Sequence, residues 1–130
     1  MIVLDASVVV ELLTNGDLAD SIRNELVRSN DSFIVPHLID IEVVSAIRRL
    51  ARSQRIDLYR CEQALADLTA LPAERYSHLP LIARIWELRH NFTAYDAAYI
   101  ALAEATNSVF YTCDANLRKG HRARVVVFTR

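Results

Sequence analysis

Glycine, cysteine and lysine are all scarce in this sequence of 130 residues. The two glycines, Gly16 and Gly120, cannot supply the GxxxxGK loop of a P-loop protein or the GxGxxG turn of a dinucleotide-binding fold. The two cysteines, Cys61 and Cys113, form no CxxC pair and are too few for a disulfide framework. We therefore expect reduced thiols and neither of these nucleotide sites.

Long apolar runs are absent as well. The stretch from Ala6 to Leu13 is interrupted by Glu11 and falls far short of the roughly 20 residues that cross a bilayer. Asp5 stands where a signal peptide would carry positive charge. Hydrophobic residues still make up 52% of the chain, which is enough for a core. We expect a soluble, cytoplasmic protein without membrane contact, folded as a single domain over residues 1–130.

The charge balance does not by itself indicate a nucleic-acid partner. There are 15 basic and 16 acidic side chains, giving a net charge of −1. Every base except Lys119 is an arginine, and arginine suits bidentate phosphate contacts. A genome rich in arginine codons would give the same composition, so both explanations stay open.

Short apolar runs alternate with helical patterns along the chain. Strands are predicted at Ile2–Leu4, Phe33–Val35, Val109–Thr112 and Val125–Phe128, with a weaker candidate at Arg75–Ser77. Helical spacing of i, i+3, i+4 and i+7 occurs from Val43 to Leu50 and again from Leu79 to Trp86, which places Trp86 in the core. The Ala-rich segment from Ala94 to Ala105 predicts a buried helix. This alternation favours a three-layer α/β/α fold with a parallel central sheet.

Four acidic residues stand at the ends of these predicted elements. Asp5 and Asp114 follow strands, whereas Glu42 and Asp96 lie near helix N-termini. Each has a purely structural explanation: Asp5 and Asp114 as helix caps, Glu42 as a complement to the helix dipole, and Asp96 as part of a capping box with Thr93.

Taken together, the four acids favour a metal site. In an open parallel sheet, strand C-termini and the N-termini of the following helices share one edge, and ligands bind there. Converging carboxylates repel one another unless a cation is present. Mg²⁺ and Mn²⁺ both accept such hard oxygen ligands. We therefore predict a divalent metal site at this edge.

Four segments resemble motifs of the PIN-domain nucleases, particularly the VapC toxins of toxin–antitoxin pairs. The opening Met1-Ile2-Val3-Leu4-Asp5-Ala6-Ser7 is similar to the first PIN motif. The segment from Thr93 to Ala103 resembles the third and is the most specific of the four. Thr112 to Leu117 resembles the fourth, and Pro36 to Arg49 resembles the segment that carries the second acid.

The resemblance implies a parallel sheet of about five strands and an acidic pocket that binds Mg²⁺ or Mn²⁺. It also implies endonucleolytic cleavage of RNA, a cognate VapB-like antitoxin that blocks the pocket, and a homodimer. By position it assigns Asp5, Asp96 and Asp114 as the main metal ligands and Glu42 as a further ligand or general base. The supporting polar residues would be Ser7, Thr112 and Asn116. Some PIN nucleases carry a further acid near the position of Asn116, so its neutral side chain weakens the case for a second metal.

Two groups of bases are candidates for RNA contacts. Arg118, Lys119, Arg122 and Arg124 follow Asp114 and would receive the RNA backbone beside the acids, unless they form only a solvated loop. A second group, Arg48, Arg49, Arg52 and Arg55, is interpreted as the exposed face of a helix. The apolar helices at 7–13 and 18–27 predict a groove for an antitoxin helix or a homodimer face.

Other folds with an acid after the first strand fit less well. A haloacid-dehalogenase-like phosphatase needs an Asp-x-Asp pair there, and this chain has Asp5-Ala6-Ser7. A phosphoacceptor receiver domain needs an acid pair at the first strand and a late lysine, and the only lysine is Lys119. A PIN-like domain without catalysis, acting as an RNA- or protein-binding module, is the remaining alternative. Metal affinity separates it from an enzyme.

Overall fold

Five short strands form one parallel sheet in the computed structural model, which describes all residues 1–130. The strands are β1 (Ile2–Leu4), β2 (Phe33–Pro36), β3 (Ala73–Tyr76), β4 (Val109–Thr112) and β5 (Arg124–Val127). Their order in the sheet is β3-β2-β1-β4-β5, with every neighbouring pair parallel. The helices are α1 (Ala6–Thr14), α2 (Ala19–Ser29), α3 (Ile39–Arg52), α4 (Leu58–Thr69), α5 (Ile82–Glu87) and α6 (Ala94–Thr106).

The helices form two groups around this sheet. Helices α1, α3 and α4 pack against one another, α2 packs on α1, and α5 packs on α6. Helix α6 also contacts β1, β2 and β4. All residues from Ala97 to Ala103 are buried, because the small alanine side chains allow α6 to lie close to the sheet. The result is the three-layer α/β/α architecture that the sequence predicts.

The sheet reverses its direction of growth at β1. The chain adds β2 and β3 on one side of β1, and then returns to place β4 and β5 on the other side. This creates a switch point between β1 and β4, and open α/β sheets bind ligands in the crevice beyond the carboxyl ends of such strands. Asp5 follows β1 directly, and Asp114 lies two residues after β4.

Local capping explains where several helices begin. The Thr93 hydroxyl accepts a hydrogen bond from the backbone N–H of Asp96 at 3.1 Å, which starts α6. The Asp57 carboxylate accepts from the N–H of Arg60 at 2.8 Å and starts α4 in the same way. Gly120 has a φ of +99°, and a Cβ there would lie 3.1 Å from the Phe92 ring, so this turn requires glycine.

The predicted elements are confirmed with small shifts at their ends. The strand predicted at Arg75–Ser77 lies at Ala73–Tyr76, and the one predicted at Val125–Phe128 lies at Arg124–Val127. No helix combines the length and the apolar composition that a bilayer crossing requires. The prediction of Trp86 in the core is wrong: its side chain is 66% exposed. The helix α5 is only six residues long, and Trp86 lies under the guanidinium of Arg89 at 4.4 Å from the ring centroid.

Candidate active site

The four predicted acids line one pocket of about 410 Å³ at the carboxyl edge of β1 and β4. Asp5 and Asp114 reach it from the ends of these strands, and Glu42 and Asp96 reach it from the first turns of α3 and α6. The convergence expected from the parallel topology is therefore present. The positive ends of the two helix dipoles favour ionised carboxylates at these positions.

Asp5 is the anchor of the pocket, and two hydroxyl groups hold it. The Thr112 hydroxyl donates to Asp5 Oδ2 at 2.6 Å, and the Ser7 hydroxyl donates to the same oxygen at 3.1 Å. These hydroxyls are themselves fixed, because the backbone N–H of Asp114 donates to Thr112 and that of Cys113 donates to Ser7. Both side-chain donors use Oδ2, which leaves Oδ1 free of them.

Burial gives Asp5 an unusual pKa. The residue is only 7% exposed, and desolvation raises the pKa of its carboxyl from 3.8 to about 6, although Thr112 and Ser7 oppose the shift. The charge of Asp96 raises it further. The carboxyl of Asp5 makes no capping hydrogen bond to α1, so its predicted alternative as a simple helix cap does not describe its side chain.

Glu42 and Asp96 are also in an unfavourable electrostatic position. Burial raises the pKa of both carboxyls; Asp96 adds to the shift of Glu42, and Asp114 adds to that of Asp96. Glu42 Oε1 is buried without a hydrogen-bond partner, and the nearby hydroxyl of Tyr99 is buried without one too. The two groups influence each other: Tyr99 lowers the pKa of Glu42, and burial together with Glu42 raises that of Tyr99.

These features fit a divalent cation. The donor set consists of four carboxylates, three of which have raised pKa values, and it includes a buried carboxylate oxygen with no partner. A hard cation would relieve the repulsion and give that oxygen a partner. No three acid, histidine or cysteine side chains already stand in a metal-ligating arrangement.

Of the three predicted supporting residues, two contact the acidic pocket through their side chains and one does not. Ser7 and Thr112 contact Asp5, as described above. Asn116 contributes its backbone N–H, which donates to Asp114 Oδ1 at 2.9 Å and starts a short 3-10 turn at Ala115–Leu117. Its side chain does not line the acidic pocket.

Two of the four bases predicted after Asp114 lie away from the acids. Arg118 and Lys119 are exposed just beyond the 3-10 turn. Arg124, however, begins β5 and pairs with Val109 at the start of β4, so it lies at the opposite edge of the sheet from the acids. Arg122 and Arg124 line a separate pocket there. Their predicted position beside the acids is wrong, because the chain between Leu117 and β5 runs back along the whole strand length.

Sequence reasoning missed the base that does reach the acidic pocket. Arg49 lies two turns after Glu42 on α3, lines the pocket and lowers the pKa of Glu42. The spacing of seven residues places both side chains on one face of the helix, and that signal was available in the sequence. Glu11 and Cys113 also line the pocket. The Glu11 carboxylate accepts from the N–H of Leu18 at 3.1 Å, and burial raises the pKa of the Cys113 thiol, so neither is a candidate nucleophile.

Comparisons with known proteins agree with this geometry. The model of the PIN domain family matches residues 2–122. Ribonuclease VapC9 of Mycobacterium tuberculosis is 41% identical over 117 residues, which cover 90% of this chain and 88% of that protein. Ribonuclease VapC1 of the same organism is 42% identical over 119 residues, covering 88% of this chain and 86% of that protein.

Solved structures have the same fold at lower identity. The structure of VapBC2 from Rickettsia felis, bound to a DNA fragment from its promoter, aligns with a TM-score of 0.73 and 15% identity over 98% of this chain and 99% of that one. The VapC20 toxin of Mycobacterium tuberculosis, described as cleaving the sarcin–ricin loop, aligns with a TM-score of 0.68 and 19% identity over 90% and 92% of the two chains. On the family match and the sequence identities, the chain belongs to the VapC ribonucleases of the PIN-domain family.

Proposed function

We propose that this VapC-family ribonuclease is the toxin of a toxin–antitoxin pair and hydrolyses RNA endonucleolytically with Mg²⁺ or Mn²⁺ in the acidic pocket. The observation that carries the proposal is the pocket itself. Four carboxylates share it at the switch point of the sheet, and one of their oxygens is buried without a partner. Such an arrangement costs stability unless it serves to hold a cation.

Asp5, Asp96 and Asp114 would hold the principal ion, with Glu42 as a further ligand or as the general base. When bound, the cation supplies Lewis-acid polarisation of the phosphoryl group and lowers the pKa of water. Thr112 and Ser7 orient the Asp5 carboxylate through Oδ2, so Oδ1 would remain available as a ligand.

Where Glu42 serves as the general base rather than as a ligand, its carboxylate would accept the proton of the attacking water. Burial and neighbouring charge raise the pKa of this carboxyl, so it is a stronger base than an exposed glutamate. Arg49, in the same pocket, would contact the phosphate. In-line attack on the phosphorus with loss of the 3′ oxygen would leave a 5′-phosphate and a 3′-hydroxyl.

The test uses purified protein freed of any partner and a total RNA pool, with and without Mg²⁺ or Mn²⁺. Wild type, Asp96→Asn and the surface control Asp67→Asn are compared, and cut ends are mapped by sequencing. We expect discrete metal-dependent cuts with wild type and Asp67→Asn and none with Asp96→Asn. Equal cutting by folded Asp96→Asn would refute the assigned site. Absence of both cutting and metal binding in wild type would favour the non-catalytic binding module.

We also propose a VapB-like antitoxin partner, a homodimer and a cytoplasmic location. The free cysteines Cys61 and Cys113 support a reducing compartment. Large exposed apolar side chains occur on several elements, including Val27 on α2. For the homodimer we choose the three that lie on α5 and the turn before it: Leu79, Ile82 and Trp86. Light scattering would then give a dimer for wild type and a monomer for Trp86→Ser; a wild-type monomer would refute the homodimer.

A further inference from the structure

The acidic pocket continues into a groove on the side of α1, α3 and α4. Its walls Val10, Ala46 and Arg49 also line a second pocket of about 360 Å³, which adds Leu50, Ser53 and Arg55. Arg55 in turn lines a third pocket of about 280 Å³, which reaches Thr14, Ile56 and Arg60. We call this path from the acids, with Arg49, Arg55 and Arg60 along it and Val10, Leu50 and Ile56 among its walls, the arginine groove.

The three arginines of the groove are exposed, and the charge of Arg49 also acts on Glu42 in the acidic pocket. None of them takes part in the ion pairs of the structure. Arg49 bonds only the Ser45 hydroxyl at 3.3 Å, and Arg60 donates to the backbone carbonyl of Thr14 at 2.8 Å. The one acid that lines the groove, Asp57, is engaged at the start of α4. The groove therefore presents three exposed, unpaired guanidinium groups in a row.

Only some of the arginines in α3 and the turn after it line the arginine groove. The sequence offers four arginines there, and only Arg49 and Arg55 line the groove, whereas Arg48 and Arg52 line neither of its pockets. The groove also opens directly into the four carboxylates, which repel a polyanion. A polyanionic chain can approach such a site only where adjacent cations attract it.

We propose that the arginine groove binds the sugar–phosphate backbone of single-stranded RNA next to the cleaved bond. Arg49 contacts the phosphate nearest the acidic pocket, and Arg55 and Arg60 contact phosphates further along the strand. The apolar side chains of Val10, Leu50 and Ile56 provide surfaces for riboses and bases. The proposal rests on the proposed ribonuclease function and names where its substrate lies. It assigns the main RNA contacts to this groove and not to Arg122 and Arg124.

The test compares Arg55→Ala/Arg60→Ala with Arg122→Ala/Arg124→Ala, which removes the same charge at the opposite edge of the sheet. Each pair is placed in the Asp96→Asn background to prevent cleavage. Binding of a labelled 20-nucleotide single-stranded RNA in Mg²⁺ is followed by fluorescence anisotropy over a range of salt concentrations. Each phosphate contact in single-stranded RNA contributes about 0.7 to the slope of log affinity against log salt. We expect the groove variant to bind at least tenfold more weakly, with a slope reduced by about 1.4, and the other pair to bind as its parent does.

Cleavage by the same pairs with an intact Asp96 provides a second readout. Because Arg55 and Arg60 lie away from the acids, their loss should raise KM and leave kcat unchanged. Arg55→Glu serves as a single substitution in case the double variant does not fold. If the parent binds RNA and the groove variant binds it with the same affinity, the proposed role of the groove is refuted, even if cleavage is confirmed. If RNA binding is weakened in Arg122→Ala/Arg124→Ala instead, the RNA contacts belong to that pair and the proposal is refuted. If the groove variant loses only antitoxin binding, the groove binds the antitoxin and not RNA. If the groove variant weakens RNA binding but wild type never cleaves, the groove stands and the hydrolytic function fails.

Discussion

Replacement of Asp5 by Asn is expected to stabilise the metal-free protein while it abolishes cleavage. The carboxyl has a pKa of about 6 in the fold against 3.8 in an exposed chain, mainly because it is buried. A difference of about 2 pKa units corresponds to about 3 kcal/mol of folding free energy, which the ionised carboxylate costs at neutral pH. Asn is neutral and of the same shape, and its carbonyl can still accept the hydrogen bond from Thr112. The variant should therefore recover up to about 3 kcal/mol.

The pH dependence of this gain has a definite sign. The folded state binds the Asp5 proton more tightly than the unfolded state does, so the stabilisation of the protonated form is complete below about pH 4 and lost as the pH rises through about 6. The advantage of Asp5→Asn over wild type is therefore largest above pH 6 and vanishes in acid. Between about pH 7.5 and pH 5, about 1 kcal/mol of it should disappear.

Thermal unfolding in EDTA, followed by circular dichroism, measures this effect. For a chain of this length, 3 kcal/mol corresponds to an upward shift in Tm of roughly 10 °C. The control Asp67→Asn is exposed and should stay within about 0.5 kcal/mol of wild type. Added Mn²⁺ should raise the Tm of wild type and have much less effect on Asp5→Asn. If the Tm of Asp5→Asn is equal to or below that of wild type at pH 7.5 in EDTA, burial of the ionised Asp5 carboxylate does not destabilise the fold and the reasoning is refuted.

Two further substitutions test the surroundings of the site. Tyr99→Phe should change stability by less than about 1 kcal/mol, since the hydroxyl forms no hydrogen bond, but it should move the acid limb of the pH–rate profile to higher pH, because Tyr99 lowers the pKa of Glu42. An unchanged acid limb would show that Tyr99 does not act on Glu42. Arg84→Ala should cost about 3 kcal/mol in urea unfolding, because it leaves the Glu104 carboxylate, 9% exposed, without the guanidinium that bonds both its oxygens at 2.7 and 3.1 Å. The control Arg23→Ala removes the exposed ion pair with Asp20 and should lower the free energy of unfolding by less than about 1 kcal/mol. Equal losses of stability in Arg84→Ala and Arg23→Ala would contradict the argument.

The energetic cost of this pocket also indicates that its residues form a functional site. Burial and neighbouring negative charge raise the pKa of three of these carboxyls, a cost in stability that a fold selected for stability alone would avoid. The Asp5 carboxylate accepts hydrogen bonds from two hydroxyls on different elements, more than any of the other three carboxylates. A site that holds a metal ion needs this combination of fixed ligand and unfavourable charge.

The sequence by itself determined the elements and the edge at which the acids meet. Hydrophobic periodicity is a local property, so the strands at Ile2–Leu4 and Val109–Thr112 and the buried helix α6 could be predicted from short windows. Because all five strands are parallel, the acids after strands and at helix starts had to share one edge. That edge carries Asp5 and Asp114, as expected.

Only the tertiary structure decided which side chains meet. The hydrogen bond from Thr112 to Asp5 joins residues 107 positions apart, and it exists because β1 pairs with β4 rather than with β3 or β5. Because β5 runs parallel to β4, Arg124 lies beside Val109 at the amino end of the strands, although Asp114 is near it in sequence. The packing of α3 against α1 and α4 places Arg49 in the acidic pocket. Local periodicity specifies helices and strands, but these neighbours depend on the long-range packing of elements that are distant in the chain.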